Sequence, residues 1–254
     1  MAVEHGEMSE PKFFYYDELA STNQKMKELT RKAPLPDMSV VIAHRQYAGR
    51  GQVGNSWESE PGKNLTFSMA LNPTFVKVQD QFLVSQAISV GITDALLKMG
   101  FDNVKVKWPN DIYAGHMKLA GILIENSIMG DYLEYCIVGI GLNVNQTKFL
   151  SNAPNPTSMA MLANRHFELN HVLESVLDSI YERYLQLQKD DTDAVRQSYL
   201  ELMYLHDGQL HPFSDFEGPF MGKINGIDTY GRLQIEKENG TNALYEFKEI
   251  GYVR

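Results

Sequence analysis

Residues 44–64, HRQYAGRGQVGNSWESEPGKN, separate two apolar segments that each predict a β-strand, 39–44 and 65–71. Within this stretch GRGQVG, residues 49–54, matches the dinucleotide-binding pattern G-x-G-x-x-G. A dinucleotide site requires the last glycine to open a helix that binds the pyrophosphate, but Gly54 leads through a Pro-Gly turn into the second strand. The stretch is therefore a loop between strands, and dinucleotide binding is excluded. We call residues 47–64 the glycine-rich loop.

The composition limits the class of protein. With 254 residues, 43% hydrophobic and 22% charged, the chain is long enough for one large globular domain and a small appendage. Its net charge of -9 argues against a nucleic-acid partner, because phosphate backbones are bound by clustered Lys and Arg. No apolar run reaches the roughly 18–20 residues that cross a bilayer, and MAVEHGEMSEPK at the N-terminus has no hydrophobic signal core. We expect a cytoplasmic protein with no membrane partner.

Hydrophobic spacing predicts strands and helices that alternate as far as residue 206. The predicted strands are 12–16, 39–44, 65–71, 104–108, 118–125 and 132–144, and the predicted helices are 21–32, 81–99, 170–188 and 193–204. Ser21 and Gln24 are spaced as a capping box at the start of the first helix. From Asp207 short strands alternate with glycine-containing turns, which predicts a small β-barrel. The predicted domains are therefore residues 1–206 and 207–254.

Three polar groups of residues have both a structural and a functional interpretation. STN, residues 21–23, is most often a helix cap, but its hydroxyl and amide groups can also bind a ligand. KWPND, residues 107–111, is most often a turn, and Lys118 nearby opens an apolar strand, where a cation needs an anion or the protein's edge. GIGLNVN, residues 139–145, has glycines that either ease sheet packing or admit a ligand. The residues alone leave these alternatives open.

Four segments in series, GRGQVGNSW, KWPNDIY, KLAGILIE and GIGLNVN, closely resemble the biotin–protein ligases, also called biotin–acetyl-CoA-carboxylase ligases. STN precedes them and GKINGIDTYGRL, residues 222–233, follows them, so the resemblance covers nearly the whole chain. It implies an α+β fold, with a mixed β-sheet flanked by helices as in class II synthetases. It also implies that the C-terminal barrel is SH3-like.

The resemblance implies a two-step reaction. The carboxylate of biotin attacks the α-phosphate of ATP to give biotinyl-5′-AMP, and a lysine of the biotin carboxyl carrier domain of a carboxylase then displaces AMP. Two anions meet in the first step, so fixed cations and Mg²⁺ must offset their repulsion. Members of the family often form homodimers, and the sequence leaves the oligomeric state of this chain open.

The resemblance also implies roles for individual residues. The expected catalytic residues are Lys118 between carboxylate and α-phosphate, Arg50 on the phosphate, and Asp111 facing the acceptor lysine or Mg²⁺. The residues expected to bind biotin are Ser21, Thr22, Asn23, Gln46, Gly49, Arg50, Gly51, Gln52, Lys118 and Gly121. Those expected to bind ATP or the adenylate are Arg50, Trp57, Asn110, Lys118 and Asn143. The loop 145–156 is expected to cover the adenylate, with Phe149 as a candidate for stacking.

Two departures from the family pattern affect these expectations. Many members have a second arginine where this chain has Gln52, so we expect the loop to retain biotinyl-AMP less tightly. Some bacterial members begin with a DNA-binding domain, but only about a dozen residues precede the first strand here, so no repressor activity is expected. The alternative functions are a lipoate-type protein ligase, which shares the acyl-adenylate chemistry, and a non-catalytic biotin- or nucleotide-binding protein.

Overall fold

The computed structural model describes residues 10–52, 54–151 and 155–253. The chain divides into two compact units, Met1–Phe75 with His116–Leu177, and Val76–Gly115 with Asp178–Arg254. We call these the first and the second unit. Compactness is a different criterion from independent folding, so the predicted domain boundary at residue 206 stays a prediction.

Strands and helices both occur as far as Leu202, and from His211 the described elements are all strands. In chain order the elements are β1 (Phe13–Leu19), α1 (Thr22–Lys32), β2 (Ser39–Gln46), β3 (Leu65–Leu71), α2 (Phe82–Lys98), β4 (Val104–Lys107), β5 (Asp111–Ala114), β6 (Met117–Met129), β7 (Tyr132–Leu142), α3 (Met159–Ala163), α4 (Leu169–Gln188), α5 (Thr192–Leu202), β8 (His211–Asp215), β9 (Gly218–Ile227), β10 (Leu233–Lys237), β11 (Asn242–Tyr245) and β12 (Gly251–Tyr252). None of the described helices combines the length and the hydropathy that crossing a membrane requires.

The first unit is built on a mixed sheet in the order β1-β2-β3-β7-β6. β1 and β2 are parallel, and the other neighbours are antiparallel. Helix α1 covers one face, where its Met26 packs with Val41, Ala70 and Ile137 in a buried cluster. Burying an aliphatic side chain of this size contributes about 1.5–3 kcal/mol, so this contact fixes the N-terminus of α1 against the sheet. The predicted mixed sheet with flanking helices is confirmed.

The second unit contains the β4–β5 hairpin, helices α2 and α5, and an antiparallel sheet in the order β11-β10-β9-β8-β12. The indole N–H of Trp108, directly after β4, donates to the carbonyl oxygen of Gly231 at 2.8 Å. The Lys107 ammonium lies 4.5 Å from the ring centroid of Tyr252 in β12, which is cation–π geometry. The KWPND segment is thereby attached to the C-terminal sheet, whose presence the glycine-punctuated sequence predicted.

Two local predictions are wrong. The Ser21 side chain makes no capping hydrogen bond, so the capping box does not form; the N–H of Thr22 donates instead to Gln46 Oε1 at 2.7 Å. An acceptor on β2, Gln46, thus takes the place of the predicted local acceptor, the Ser21 side chain. Asp111 is also not confined to a turn, because residues 111–114 form β5 and pair with β4. A strand of four residues directly after Pro-Asn is too short to give a periodic signal.

Candidate functional site

A chain of hydrogen bonds lies where α1 begins against β2 and β3. We call its members, Thr22, Asn23, Gln46 and Ser68, the polar cluster. Gln46 Oε1 lies 2.7 Å from the Thr22 nitrogen and 3.1 Å from its hydroxyl, and Ser68 Oγ lies 2.6 Å from Asn23 Oδ1 and 2.7 Å from Thr22 Oγ1. Thr22, Asn23 and Ser68 are at most 4% exposed. Buried polar groups need such partners, so the cluster is a structural element before it is anything else.

The amide of Asn23 connects the polar cluster to a carboxylate on β6. Its Nδ2 donates to the carbonyl of Leu123 at 3.3 Å and to Glu125 Oε2 at 3.0 Å. The other carboxylate oxygen, Glu125 Oε1, lies 3.7 Å from Arg50 Nη1 and 3.9 Å from Lys27 Nζ. Both N–H groups of the Asn23 amide are therefore used within the protein, and Arg50 rests against Glu125.

Beside the cluster, three glycines leave space over the sheet backbone that side chains of other residues enter; we call Gly121, Gly139 and Gly141 the glycine floor. Gly121 is paired with Gly141 across β6 and β7, and Gly139 is two residues away on the same face. A methyl group on Gly139 would overlap the Asn23 amide, and one on Gly141 would overlap the Trp57 indole. The missing side chains are what allow these two groups to reach the backbone.

Trp57 and Lys118 lie above the glycine floor. The Lys118 ammonium is 5.7 Å from the centroid of the Trp57 ring, within the range of a cation–π contact. The backbone of Lys118 is held on both sides, because its N–H donates to the Asn155 carbonyl at 2.8 Å and its carbonyl accepts from Thr157 N at 2.9 Å. The backbone that carries this cation is thus fixed, and the ammonium lies next to an aromatic face.

In the described part of the first unit, three buried side-chain atoms have no hydrogen-bond partner: Trp57 Nε1, Asn143 Oδ1 and Thr157 Oγ1. They belong to one region, since Asn143 Nδ2 donates to the Thr157 carbonyl at 2.9 Å and Thr157 binds the Lys118 backbone. A buried polar atom without a partner costs about 1–3 kcal/mol. Such atoms are uncommon in native structures, and they can hydrogen-bond to a bound ligand or to water.

The glycine-rich loop folds into a short hairpin. The N–H of Trp57 donates to the Gly49 carbonyl at 2.9 Å, that of Gly51 to the Asn55 carbonyl at 3.0 Å, and Arg50 bridges to Ser56. A side chain on Gly49 would collide with the Trp57 carbonyl, so this glycine serves close backbone approach. Gln52 is partly buried, and Val53 lies outside the described residues.

Most of the predicted site residues belong to the first unit. The polar cluster, the glycine floor, Ser21, Gly49, Arg50, Gly51, Gln52, Trp57, Lys118 and Asn143 are all in it. Asn110 and Asp111 belong to the second unit, where Asp111 opens β5 and is paired with Lys107. The loop 145–156 is described apart from residues 152–154, which lie outside the described residues.

Three residues of this region were not predicted as site residues. Ser68 lies 45 positions from Asn23, Glu125 lies 102 positions from it, and Glu58 accepts hydrogen bonds from residues 92 and 93 positions away. Single-sequence reasoning does not give such pairings. Ser68 does carry a signal, since a serine inside the apolar strand LTFSMAL needs a buried partner.

Comparison with known proteins begins from this geometry. The model of the biotin/lipoate A/B protein ligase family matches residues 15–143, just over half of the chain. This chain belongs to that family. The matched range includes the polar cluster, the glycine floor and the glycine-rich loop. The lone Cys136 falls in the same range; burial raises the pKa of its thiol to about 12, consistent with an inert core residue.

Individual members of the family match over most of the chain. The bifunctional ligase/repressor BirA of Bacillus subtilis is 28% identical over 91% of this chain and 71% of its own length. The biotin–acetyl-CoA-carboxylase ligase of Mycobacterium tuberculosis is 30% identical over 65% of this chain and 61% of its own length. The Aquifex aeolicus biotin protein ligase, solved in complex with biotin and ATP, superposes with a TM-score of 0.77 and 26% identity, covering 96% of this chain and 99% of its own.

Proposed function

We propose that this protein is an ATP-dependent biotin–protein ligase that forms biotinyl-5′-AMP and transfers biotin to a carrier-domain lysine. The observation that carries the proposal is the glycine floor, with Lys118 and Trp57 above it and unpartnered polar atoms at its side. The glycines keep this part of the sheet free of side chains, so a mostly apolar ligand with a few polar atoms can lie close to it beside Trp57 and Asn23. Relatives whose names include biotin ligation, and a superposable structure that holds biotin and ATP, support this choice.

Biotin would lie with its polar ring beside the polar cluster. Asn23 has spent both of its N–H groups, so it can offer a ligand only acceptor capacity. Gln46 Oε1 already accepts from Thr22, whereas its Nε2 has no hydrogen bond to a described residue and can donate. A urea-like ring, with N–H donors flanking a carbonyl acceptor, matches these remaining groups. Ser21, Gly49, Gly51, Gln52 and Gly121 would complete the biotin site.

Two cations would manage the charge of the first step. Lys118 would lie between the biotin carboxylate and the α-phosphate of ATP, and Arg50 would bind the phosphate with its planar guanidinium. Because the Arg50 contact to Glu125 is 3.7 Å and more than half of the Arg50 side chain is exposed, that contact is weak. A phosphate oxygen can therefore displace the Glu125 carboxylate from Arg50 at little cost.

The nucleotide would be bound by Trp57, Asn110 and Asn143, with Mg²⁺ entering as part of the ATP substrate. Among the described residues there is no group of three or more His, Cys, Asp or Glu side chains that could hold a metal ion. Such a group is not required, since Mg²⁺ on ATP takes most of its ligands from phosphates and water. Asp111 would supply one carboxylate, either to Mg²⁺ or to the acceptor lysine.

The partner in the second step would be the biotin carboxyl carrier domain of a biotin-dependent carboxylase, with the protein acting in the cytoplasm. The acidic net charge of -9 supports a protein partner over a nucleic acid. A homodimer is compatible with the proposal but is not needed for it, since each chain carries its own glycine floor and cations.

The direct test is labelling of a purified carrier domain in the presence of biotin, ATP and Mg²⁺. We expect the wild-type protein and Lys32→Ala to label the domain, because Lys32 is an exposed cation at the end of α1. Lys118→Ala should lose at least about a hundredfold in rate, since it removes preorganised charge. Labelling with lipoate and not biotin would identify a lipoate-type ligase. Biotin binding without release of AMP would identify a non-catalytic binding protein.

A further inference from the structure

The side chain of Glu58, directly after Trp57, binds a second segment of the chain. Its carboxylate accepts from Leu150 N at 2.9 Å and from Ser151 N at 2.7 Å, and its Oε1 accepts from Gln146 Nε2 at 3.2 Å. Hydrogen bonds from N–H groups to a carboxylate are roughly twice as strong as neutral ones. Burial opposes ionisation, but the hydrogen bonds from Ser151, Leu150 and Gln146 outweigh it and hold the pKa of Glu58 below its usual range.

Gln146 and Asn64 extend this contact into a continuous network. Gln146 is 1% exposed, and its Oε1 accepts from Asn64 Nδ2 at 2.6 Å and from Glu60 N at 2.9 Å. Asn64 Oδ1 in turn accepts from Val144 N at 3.0 Å. The end of the glycine-rich loop and residues 144–151 are therefore held together at both ends, by Asn64 on one side and Glu58 on the other.

Two residues of the network directly follow, in sequence, residues that carry unpartnered atoms. Trp57 precedes Glu58, and Asn143 precedes Val144. The Glu58 carboxylate therefore holds the backbone of Leu150 and Ser151 against the residue next to Trp57. Glu60 differs from Glu58, because its side chain is exposed and it joins the network through its backbone N–H.

We infer that Glu58 is a positioning residue that joins the glycine-rich loop to residues 146–151, so that both segments take up one arrangement around the nucleotide. That Glu58 joins the two segments follows from the hydrogen bonds alone. That they are arranged around a nucleotide rests on the proposed function. Glu58 acts through Trp57 on one side and through the 146–151 backbone on the other. Because the hydrogen bonds of Glu58 go to residues 146–151 and not to the biotin-binding residues 49–52, substitution should weaken ATP binding more than biotin binding.

The structural part is tested by amide hydrogen exchange on the ligand-free protein. In Glu58→Gln the amides of Leu150 and Ser151 should exchange about tenfold faster, since they lose a charged acceptor. Glu60→Gln is the matched control and should exchange at the wild-type rate. Unchanged exchange in Glu58→Gln would overturn the inference whether or not the protein is a biotin ligase.

The functional part is tested by steady-state kinetics of biotinyl-AMP formation. Glu58→Gln should raise the KM for ATP about tenfold, with kcat and the Kd for biotin within about twofold of wild type. Glu58→Asp keeps the charge but shortens the side chain, so its KM for ATP should lie between those of wild type and Glu58→Gln. An equal loss in KM for ATP and in biotin affinity would overturn the inference, because it would indicate a general loosening of the site.

Discussion

The polar cluster and the glycine floor are neighbours on one sheet face, but they differ in whether their buried polar atoms have hydrogen-bond partners. In the cluster, Ser68 bonds to Thr22 and Asn23, and Thr22 bonds to Gln46, with distances down to 2.6 Å. Around the floor, Trp57 Nε1, Asn143 Oδ1 and Thr157 Oγ1 are buried and lack partners among the described residues. Every member of the cluster thus has a hydrogen-bond partner within the protein, whereas these three atoms have none among the described residues.

The difference predicts which substitutions lower the free energy of unfolding and which affect ligand binding. Removing a member of the cluster strands its partner in the interior, which lowers the free energy of unfolding. Removing an unpartnered atom leaves no other group without a partner, so it should change ligand affinity and not the free energy of unfolding. Substitutions in the two regions should therefore move different measurements.

The largest expected effect is that of filling the glycine floor. Gly141→Ala places a methyl group where the Trp57 indole lies, so the indole must move. We expect biotin-dependent pyrophosphate exchange to fall roughly a hundredfold, the upper end of what a forced shift of this size costs. Gly130→Asn is the control, since Gly130 has open space and a positive φ of 62° that Asn tolerates. Normal exchange by Gly141→Ala would mean that the floor is not a ligand surface.

The sharpest contrast is between two buried hydroxyls, Ser68 at 0% and Thr157 at 1% exposure. Ser68→Ala should lower the free energy of unfolding in urea by about 1–3 kcal/mol, because Asn23 Oδ1 loses its donor. Thr157→Val should leave it within about 0.5 kcal/mol of wild type and raise the KM for ATP severalfold. If Thr157→Val were the more destabilising of the two, the distinction between the regions would fail.

Much of the fold and part of the site could be predicted from sequence. The strands around the glycine-rich loop and helix α2 follow from hydrophobic spacing, and β7 contains the glycines that were interpreted as either packing or ligand residues. The cap of α1 could not be predicted, because its acceptor, Gln46, lies 24 positions away from Thr22. In the sequence Glu125 is only the end of an apolar strand, since its contacts with Asn23 and Arg50 exist only in the folded sheet.

A smaller effect is expected from substitution of Gln52, on the dissociation rate of biotinyl-AMP. Gln52→Arg would restore the second arginine of the family pattern in a partly buried position of the glycine-rich loop. One additional partly exposed charge pair contributes at most about 1 kcal/mol, so the dissociation of biotinyl-AMP should slow about two- to fivefold. Release of the radiolabelled adenylate into excess unlabelled biotin measures this rate. Identical rates for the two proteins would remove the role assigned to position 52.

Glu125 gives the smallest expected change. Glu125→Gln keeps an acceptor for the Asn23 amide but removes the charge that faces Arg50 and Lys27. Because these ion pairs are partly exposed and longer than 3.5 Å, the free energy of unfolding should fall by less than about 1 kcal/mol. The affinity for ATP should be unchanged or rise up to about threefold, as Arg50 becomes free for the phosphate. A clear loss of ATP affinity, measured by calorimetry, would place Glu125 in the binding site itself.

The central claim is that the region above the glycine floor joins biotin to AMP. Its most direct measurement is the exchange of radiolabelled pyrophosphate into ATP by the carrier-free protein. We predict that exchange requires biotin, is not supported by lipoate, and falls at least about a hundredfold in Lys118→Ala, whose folding should be unchanged. Exchange that proceeds without biotin, or at the wild-type rate in Lys118→Ala, would contradict the claim.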